Sequence, residues 1–187
     1  MSSAPETIVI LGHGASGTAA SMRPWVEALA VRGIGARAID LPKGRAERAV
    51  PVFGEAIAAG GGRVVAGGHS FGGRVASLAV ANRLRSGEAG VEALLLLSFP
   101  LHHPGHPEAW RDRVAHWPEL QLPVLLLSGE SDPFARLGLL REAVRLLPDG
   151  ELVTYPRVGH GLAPVLDDAA DRAAEFIHGL AADRPGG

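Results

Sequence analysis

The sequence has no cysteine among its 187 residues, and only 5% of them are aromatic. The absence of cysteine excludes a disulfide framework and a thiolate metal site, and we expect a cytoplasmic location. Acidic residues (20) nearly balance lysine and arginine (18), which leaves no basic excess for binding nucleic acid. No apolar run approaches the roughly 18 residues of a bilayer-spanning helix, so we expect no membrane association.

Short apolar runs alternate with helical patterns along the chain. This alternation predicts a three-layer α/β fold, with about six mostly parallel strands and helices on both faces. We expect a single domain at residues 1–182 and a flexible tail at 183–187. Pro24, Pro51 and Pro164 suit first helical turns, where a missing N–H costs little. The predicted strands are residues 7–11, 35–39, 63–67, 93–98, 124–128 and 151–155, and the predicted helices are 24–32, 51–59, 72–85, 107–117, 134–147 and 164–180.

One serine lies between two glycines where a predicted strand meets a predicted helix. The stretch reads Gly68-His69-Ser70-Phe71-Gly72. In a tight strand-to-helix turn, side chains at the two glycine positions would collide with neighbouring backbone, and the turn exposes the serine hydroxyl at the edge of the sheet. Ligands of parallel sheets bind at this edge, outside the carboxyl ends of the strands. The pattern and its position therefore predict that Ser70 is a nucleophile.

A nucleophilic serine needs a base to take its proton and a carboxylate to orient that base. In a sheet of this kind the partners follow the serine in the order aspartate, histidine, each after a later strand. Asp132 comes after the fifth predicted strand, and His160 lies between two glycines after the last one. We predict that Ser70, Asp132 and His160 form a catalytic triad. Glu130, two residues before Asp132, stays open as an alternative orienting acid.

The negative oxygen that forms during acyl transfer needs N–H donors. We expect one donor from Phe71, directly after the nucleophile, and a second from Ala15 in the glycine turn after the first predicted strand. Gly14 and Ser16 stay open as the source of the second donor. A phosphate-binding loop is the competing interpretation of this turn, but it lacks the Gly-Lys-Ser/Thr motif and no predicted helix begins at its last glycine.

These motifs together resemble those of the α/β-hydrolases over nearly the whole chain. The matching segments are residues 13–14, 68–72, 131–134 and 159–161. Residues 98–105 and 122–134 are also similar to a small dienelactone-hydrolase-like group that includes a testis-expressed protein and a subunit of a histone-acetyltransferase complex. The resemblance implies the α/β-hydrolase fold and a triad, without the cysteine nucleophile of dienelactone hydrolases. Only residues 99–123 separate the fourth and fifth predicted strands, so we expect no cap domain.

Residues near these motifs are candidates for lining a substrate pocket, although ordinary core packing stays open for the tryptophans and the methionine. His102, His103 and His106 could also suggest a zinc site, but no carboxylate or further histidine lies at ligand spacing. We expect no metal and no organic cofactor. The predicted substrate-binding residues are His13, His69, Met22, Trp25, His102, His103 and Trp110.

Together these expectations predict a serine hydrolase that cleaves a small carboxylic ester or thioester through an acyl-enzyme. Its partner is then a small-molecule acyl substrate, and its oligomeric state stays open. A related acyl-transferring or amide-cleaving enzyme would use the same triad. A non-catalytic binding or scaffold protein is the alternative, because a hydrolase fold alone does not determine function.

Overall fold

Six parallel strands form one open sheet in the computed structural model, which describes residues 7–182. The strands are β1 (Ile8–Gly12), β2 (Gly35–Ile39), β3 (Val64–His69), β4 (Val91–Leu97), β5 (Val124–Gly129) and β6 (Gly150–Tyr155), in the spatial order β2-β1-β3-β4-β5-β6. The helices are α1 (Arg23–Val31), α2 (Ala46–Ala58), α3 (Phe71–Arg85), α4 (Trp110–Arg113), α5 (Leu137–Val144) and α6 (Leu166–Ala182). The predicted three-layer α/β architecture is confirmed.

The central strands are apolar throughout because helices cover both faces of the sheet. Neighbouring residues of a strand point to opposite faces. In β4, Leu94 and Leu96 belong to the core that α2, α3 and α5 share. Leu95 and Leu97 belong to the core that α1 and α6 share. This is why the strand appears in the sequence as a continuous leucine run, without polar residues at every second position.

The chain changes direction across the sheet between β1 and β3. From β1 it crosses to β2 at the edge, and it then returns to β3 on the other side of β1. The helices that follow these two strands, α1 and α3, lie on opposite faces of the sheet. The loops that leave β1 and β3 therefore diverge and open a crevice at the carboxyl ends of the strands, where ligands of such sheets bind. Ser70 follows β3 at this crevice.

The predicted start of the second helix is wrong. α2 begins at Ala46, and Pro51 lies inside it. Proline removes one hydrogen bond from a helix interior, but the burial of one helix face offsets this loss. The buried residues of α2 recur at helical spacing and are Ala46, Ala49, Phe53 and Ile57.

The helix predicted at residues 107–117 is interrupted. Two 3-10 turns, Pro107–Ala109 and Trp117–Glu119, flank the single turn of α4. α4 ends at Arg113, and Pro118, which disfavours α-helical backbone at the residue before it, lies in the first turn of the 3-10 segment that follows. The helix predicted at residues 134–147 is also shorter, because α5 begins only at Leu137. Between β4 and β5 the chain forms only short turns, so the described part of the chain has no cap domain.

The predicted tail at residues 183–187 lies outside the described residues, and the predicted domain is described only from residue 7 onward. Within residues 7–182, no helix has both the length and the apolar character that crossing a membrane requires.

β1 and the start of α3 are in contact through backbone atoms alone. A Cβ on Gly72 would lie 2.7 Å from the Cα of Gly12, and a Cβ on Gly68 would lie 2.7 Å from the Gly12 nitrogen. Both distances are far shorter than the roughly 3.5–4.0 Å of a normal carbon contact. Gly68 also has a φ of 150°, which L side chains rarely adopt. Only glycine at these positions lets β1, β3 and α3 approach so closely.

We expect Gly72→Ala to lower the free energy of unfolding by about 3 kcal/mol, because the added methyl group forces α3 away from β1. Chemical denaturation measures the change. Gly54→Ala is the matched control, because Gly54 lies inside α2, where a Cβ would have no atom within 4 Å. Alanine there should raise the free energy of unfolding by roughly 0.5–1 kcal/mol. Equal effects of the two substitutions would contradict the close approach of β1 and α3.

A buried histidine connects the chain before β5 to α3. His116 Nε2 donates to Ser77 Oγ at 2.9 Å, and this hydroxyl donates to the carbonyl of Arg74 at 2.9 Å. Burial lowers the pKa of His116 to about 4, and the positive charges of Arg74 and Arg85 act in the same direction. The imidazole is therefore uncharged at neutral pH.

His116 should make the protein less stable as the pH falls from 6.5 to about 4. In this range a histidine of the unfolded chain takes up a proton, whereas folded His116 does not. The unfolded state then binds more protons, so the free energy of unfolding decreases with acidification, by at most about 3 kcal/mol for this one group. His116→Gln should remove this part of the pH dependence. Chemical denaturation at a series of pH values measures the free energy of unfolding of the wild type and of His116→Gln. Parallel loss of stability in the two proteins between pH 6.5 and about 4 would contradict the expectation.

Candidate active site

Ser70 occupies the turn between β3 and α3 in a backbone conformation that is rare outside glycine. Its φ is 50° and its ψ is −113°. Its N–H donates to the carbonyl of Leu97 at 2.8 Å, which ties the turn to the end of β4. Strained backbone of this kind concentrates at functional sites, where the surrounding structure must hold it. The contact of Gly12 with Gly68 and Gly72 provides this support.

His160 joins Ser70 to Asp132 by hydrogen bonds. Its Nε2 is 2.8 Å from Oγ of Ser70, and its Nδ1 is 2.8 Å from Oδ2 of Asp132. Because a carboxylate only accepts hydrogen bonds, Nδ1 carries the proton, and the lone pair of Nε2 accepts the Ser70 hydroxyl. The structure therefore brings the three predicted catalytic residues together, with His160 oriented to take the serine proton.

Asp132 is held by burial and by a second hydrogen bond. Its side chain is 0% exposed, and its Oδ1 accepts the backbone N–H of Phe134 at 2.8 Å. Glu130, the alternative orienting acid, instead accepts the hydroxyl of Thr154 at 2.8 Å. The carboxylate that faces His160 is thus that of Asp132.

Two aromatic rings pack against His160. The ring centroid of Phe134 lies 4.4 Å from that of His160, and the centroid of His69 lies 5.2 Å from it. His69 Nε2 also donates to the backbone carbonyl of His160 at 2.9 Å. Burial lowers the pKa of His69 more than this hydrogen bond raises it. An uncharged His69 therefore anchors the loop that carries His160.

The glycine turn after β1 lies beside Ser70. The N–H of Gly17 donates to the carbonyl of Gly14 at 2.9 Å and closes a β-turn with Ala15 at its corner. This hydrogen bond does not use the N–H of Ala15. The N–H of Phe71 belongs to the first turn of α3, where amide groups have no acceptor within the helix. Phe71 and Ala15 stay the predicted oxyanion donors.

A pocket of about 510 Å³ opens next to Ser70 and His160. We call it the apolar pocket, because its lining contains no lysine, arginine, aspartate or glutamate. The predicted substrate-binding residues His69, Met22 and Trp25 lie in its wall. The lining residues are 14–17, 21, 22, 24, 25, 69, 70, 134, 160–163 and 166.

A second pocket, of about 530 Å³, also opens next to Ser70. We call it the basic pocket, because Arg45, Arg74 and Arg113 line it and Glu47 is the one acidic residue of its lining. His103, a predicted substrate-binding residue, lies in its wall. The lining residues are 15, 44–47, 70, 71, 74, 100, 103, 113 and 134.

The prediction that His13 binds substrate is wrong. His13 is buried and lines neither pocket. Its Nδ1 donates to the carbonyl of Gly14 at 2.7 Å, and its Nε2 accepts the N–H of Leu41 at 3.0 Å. Both ring nitrogens therefore bind backbone, and His13 fixes the glycine turn to the chain that follows β2.

His102 and Trp110 are also wrongly predicted to bind substrate. His102 is buried, with its Nδ1 donating to the carbonyl of His103 at 2.9 Å and its Nε2 accepting the N–H of Arg136 at 3.1 Å. Trp110 is 3% exposed and packs in the core on the α3 side of the sheet. Neither side chain reaches a pocket, because residue type and proximity to a motif do not determine which way a side chain points.

The histidines at residues 102–106 do not converge on one point. His102 is occupied by backbone groups, whereas His106 is exposed and its Nδ1 lies 3.2 Å from the carboxylate of Glu108. Among residues 7–182, no group of three or more histidine, cysteine, aspartate or glutamate side chains is arranged to hold a metal ion.

A family model described as the alpha/beta hydrolase domain matches residues 5–181. The chain belongs to this family. No curated protein matches it in sequence. The narrower resemblance to the dienelactone-hydrolase-like group stays a prediction.

Several solved structures share the fold of this α/β-hydrolase. Est1E from Butyrivibrio proteoclasticus, solved with ferulic acid bound, has a TM-score of 0.77 and 16% identity, covering 95% of this chain and 90% of its own. Esterase 2 from Thermogutta terrifontis, solved with propionate bound, has a TM-score of 0.73 and 20% identity, covering 97% and 86%. A predicted CIB-like hydrolase from Thermoplasma acidophilum has a TM-score of 0.73 and 17% identity, covering 93% and 86%. At these identities the likeness shows the fold.

Sequence reasoning missed two important residues of this α/β-hydrolase site. Phe134 lines both pockets, packs on His160 and donates its N–H to Asp132. Arg74 lines the basic pocket. Its position in the first turn of the predicted helix at residues 72–85 was a usable signal, because that turn directly follows Ser70.

We expect Asp132→Asn to change which nitrogen of His160 carries the proton. The Asp132 carboxylate accepts two hydrogen bonds, one from the N–H of Phe134 and one from Nδ1–H of His160. Asparagine has only one acceptor oxygen, so its NH2 group would face one of these two donors. This disfavours the His160 tautomer that carries the proton on Nδ1. Nitrogen-15 NMR of the imidazole distinguishes the two tautomers. Glu130→Gln is the matched control and should leave His160 unchanged, because Glu130 bonds to Thr154. A changed tautomer in Glu130→Gln alone would assign the orienting role to Glu130.

Proposed function

We propose that this α/β-hydrolase is a serine hydrolase that cleaves small carboxylic esters or thioesters through an acyl-enzyme. The observation that supports the proposal best is the continuous hydrogen-bond chain from Ser70 through His160 to buried Asp132, with 2.8 Å at each step. This arrangement activates serine for acyl transfer: a buried carboxylate orients an imidazole, and the imidazole accepts the serine hydroxyl through its Nε2 lone pair. The cytoplasmic location stays a prediction.

In the first step, His160 Nε2 takes the hydroxyl proton of Ser70 while Oγ attacks the carbonyl carbon of the ester. The carbonyl π electrons move to its oxygen, and the N–H groups of Phe71 and Ala15 would stabilise the resulting negative charge. Asp132 stabilises the imidazolium that forms and remains ionised. Asp132 already faces His160 at 2.8 Å before the imidazolium forms, so this pair needs little reorganisation during the reaction.

In the second step, the tetrahedral intermediate expels the alcohol or thiol, which receives the proton from His160 Nε2. Ser70 then carries the acyl group. A water molecule attacks this ester as Ser70 did, with His160 again taking the proton and returning it to Oγ of Ser70. The cycle consumes one water and releases one acid and one alcohol or thiol, so the chain's own groups suffice for both half-reactions.

A fluorophosphonate probe tests the activation of Ser70 without knowledge of the substrate. Esterase 2 from Thermogutta terrifontis has been solved after phosphonylation by sarin, which is chemistry of the same kind on a related fold. We expect the probe to label the native protein, to fail with Ser70→Ala and to label His160→Ala far more slowly, because the proton of Ser70 then has no acceptor. Turnover of 4-nitrophenyl acetate should fall at least about 10³-fold in both variants.

Ser86→Ala is the control for this experiment, because Ser86 is an exposed serine at the end of α3. It should be labelled and turn over ester like the wild type. Mass spectrometry of the adduct locates the modified residue. A folded native protein that takes no label would favour the non-catalytic binding protein, and a label on another serine would remove Ser70 from the mechanism.

A further inference from the structure

The basic pocket has an excess of positive charge, although the whole chain has a net charge of −2. Arg45, Arg74 and Arg113 provide three positive charges in its lining and Glu47 provides one negative charge. The charge of Arg113 lowers the pKa of His103, which is therefore uncharged at neutral pH. A cavity with two excess positive charges attracts anions, because its low-dielectric walls focus the field.

The arginines of the basic pocket are weakly satisfied within the protein. Arg74 Nη2 lies 4.0 Å from Glu47, whose side chain is 70% exposed. Arg113 Nη1 donates a long hydrogen bond of 3.4 Å to the carbonyl of Pro100. These guanidinium groups therefore have donors available for a ligand.

Arg74 and Arg113 also affect each other. Burial lowers the pKa of Arg113, and the positive charge of Arg74 lowers it further. Both effects disfavour the charged form that arginine nevertheless keeps at neutral pH. An anion bound between the two groups would replace lost hydration by charge-assisted hydrogen bonds and would offset their repulsion.

The position of His160 indicates which part of a substrate enters the basic pocket. His160 lines the apolar pocket but not the basic one. The leaving group must lie within reach of His160, because this residue protonates it. The leaving group therefore occupies the apolar pocket, and the acid part extends from Ser70 into the basic pocket. Ser70 and Arg74 both line the basic pocket, so the Arg74 side chain faces the same cavity as the nucleophile.

We propose that the basic pocket binds a carboxylate on the acid part of the substrate, which makes the substrate a monoester or monothioester of a short dicarboxylic acid. The inference rests on the proposed function, because it takes Ser70 as the position of the reacting carbonyl carbon. The planar guanidinium groups of Arg74 and Arg113 suit a carboxylate, which they bind through paired N–H donors.

A matched pair of esters tests the proposal. Mono-4-nitrophenyl glutarate has a free carboxylate on its acid part, and 4-nitrophenyl methyl glutarate has the same chain with that carboxylate masked. We expect the native protein to prefer the anionic ester at least tenfold in kcat/KM, and the preference should decrease as salt is added. The double variant Arg74→Gln, Arg113→Gln should bring the ratio close to one. Each single variant should lower it in part, which keeps the test valid if the double variant does not fold.

Arg141→Gln is the control, because Arg141 is exposed on α5 and lines neither pocket. It should leave the ratio unchanged. A ratio near one in the native protein would overturn the inference while leaving the proposed hydrolase intact. Preference for an ester with its carboxylate on the alcohol part, such as butyryloxyacetate, would overturn the assignment of the acid part to the basic pocket.

A binding measurement separates the inference from turnover. Ser70→Ala should bind monomethyl glutarate at least tenfold more tightly than dimethyl glutarate in isothermal titration. Adding Arg74→Gln and Arg113→Gln should abolish the difference. If no ester is cleaved but this difference is found, the proposed function fails and the anion site stands. Equal binding of the two esters by Ser70→Ala would overturn the anion site.

Discussion

Strand β1 passes so close to the turn around Ser70 that Gly12 touches Gly68 and Gly72 with backbone atoms alone. No side chain fits at these three positions, so the distance between β1 and the start of α3 is determined by main-chain contact and is difficult to change. The glycine turn that leaves β1 is thereby fixed beside Ser70. An oxyanion site built from the two loops depends on this fixed distance, because its donors must lie about 2.7–3.1 Å from the position of the developing negative charge.

Three histidines, two of them buried and His69 half-buried, hold the loops of the site, and each does so through backbone groups. His13 connects the glycine turn to the chain after β2, and His102 connects the loop after β4 to the loop that carries Asp132. His69 binds the carbonyl of His160. An imidazole can donate from one nitrogen and accept at the other, so it satisfies a buried carbonyl and a buried N–H at once. The loops are irregular, and the histidines supply the partners that their backbone would otherwise lack.

The six parallel strands and the convergence of Ser70, Asp132 and His160 could be predicted, because each residue lies in the loop or turn after a strand and parallel strands end at one edge of the sheet. The arginines of the basic pocket could not be found in the same way. Arg45, Arg74 and Arg113 come from distant parts of the chain and meet only after folding. Nor could the sequence show that Trp110 packs in the core, since an aromatic residue on a short helix suits either environment.

The difference between the two pockets follows from the sheet that separates the two helical layers. Residues just before and within α1 and α6 line the apolar pocket, and residues at the starts of α2 and α3 line the basic one. Ser70, Ala15 and Phe134 line both pockets, so under the proposed function the reacting carbonyl carbon would lie where the two layers meet. Each pocket can therefore change its charge or size through substitutions in its own layer, with no change at Ser70, His160 or Asp132. If the proposed assignment of the two pockets holds, the choice of acid and the choice of leaving group depend on separate groups of residues.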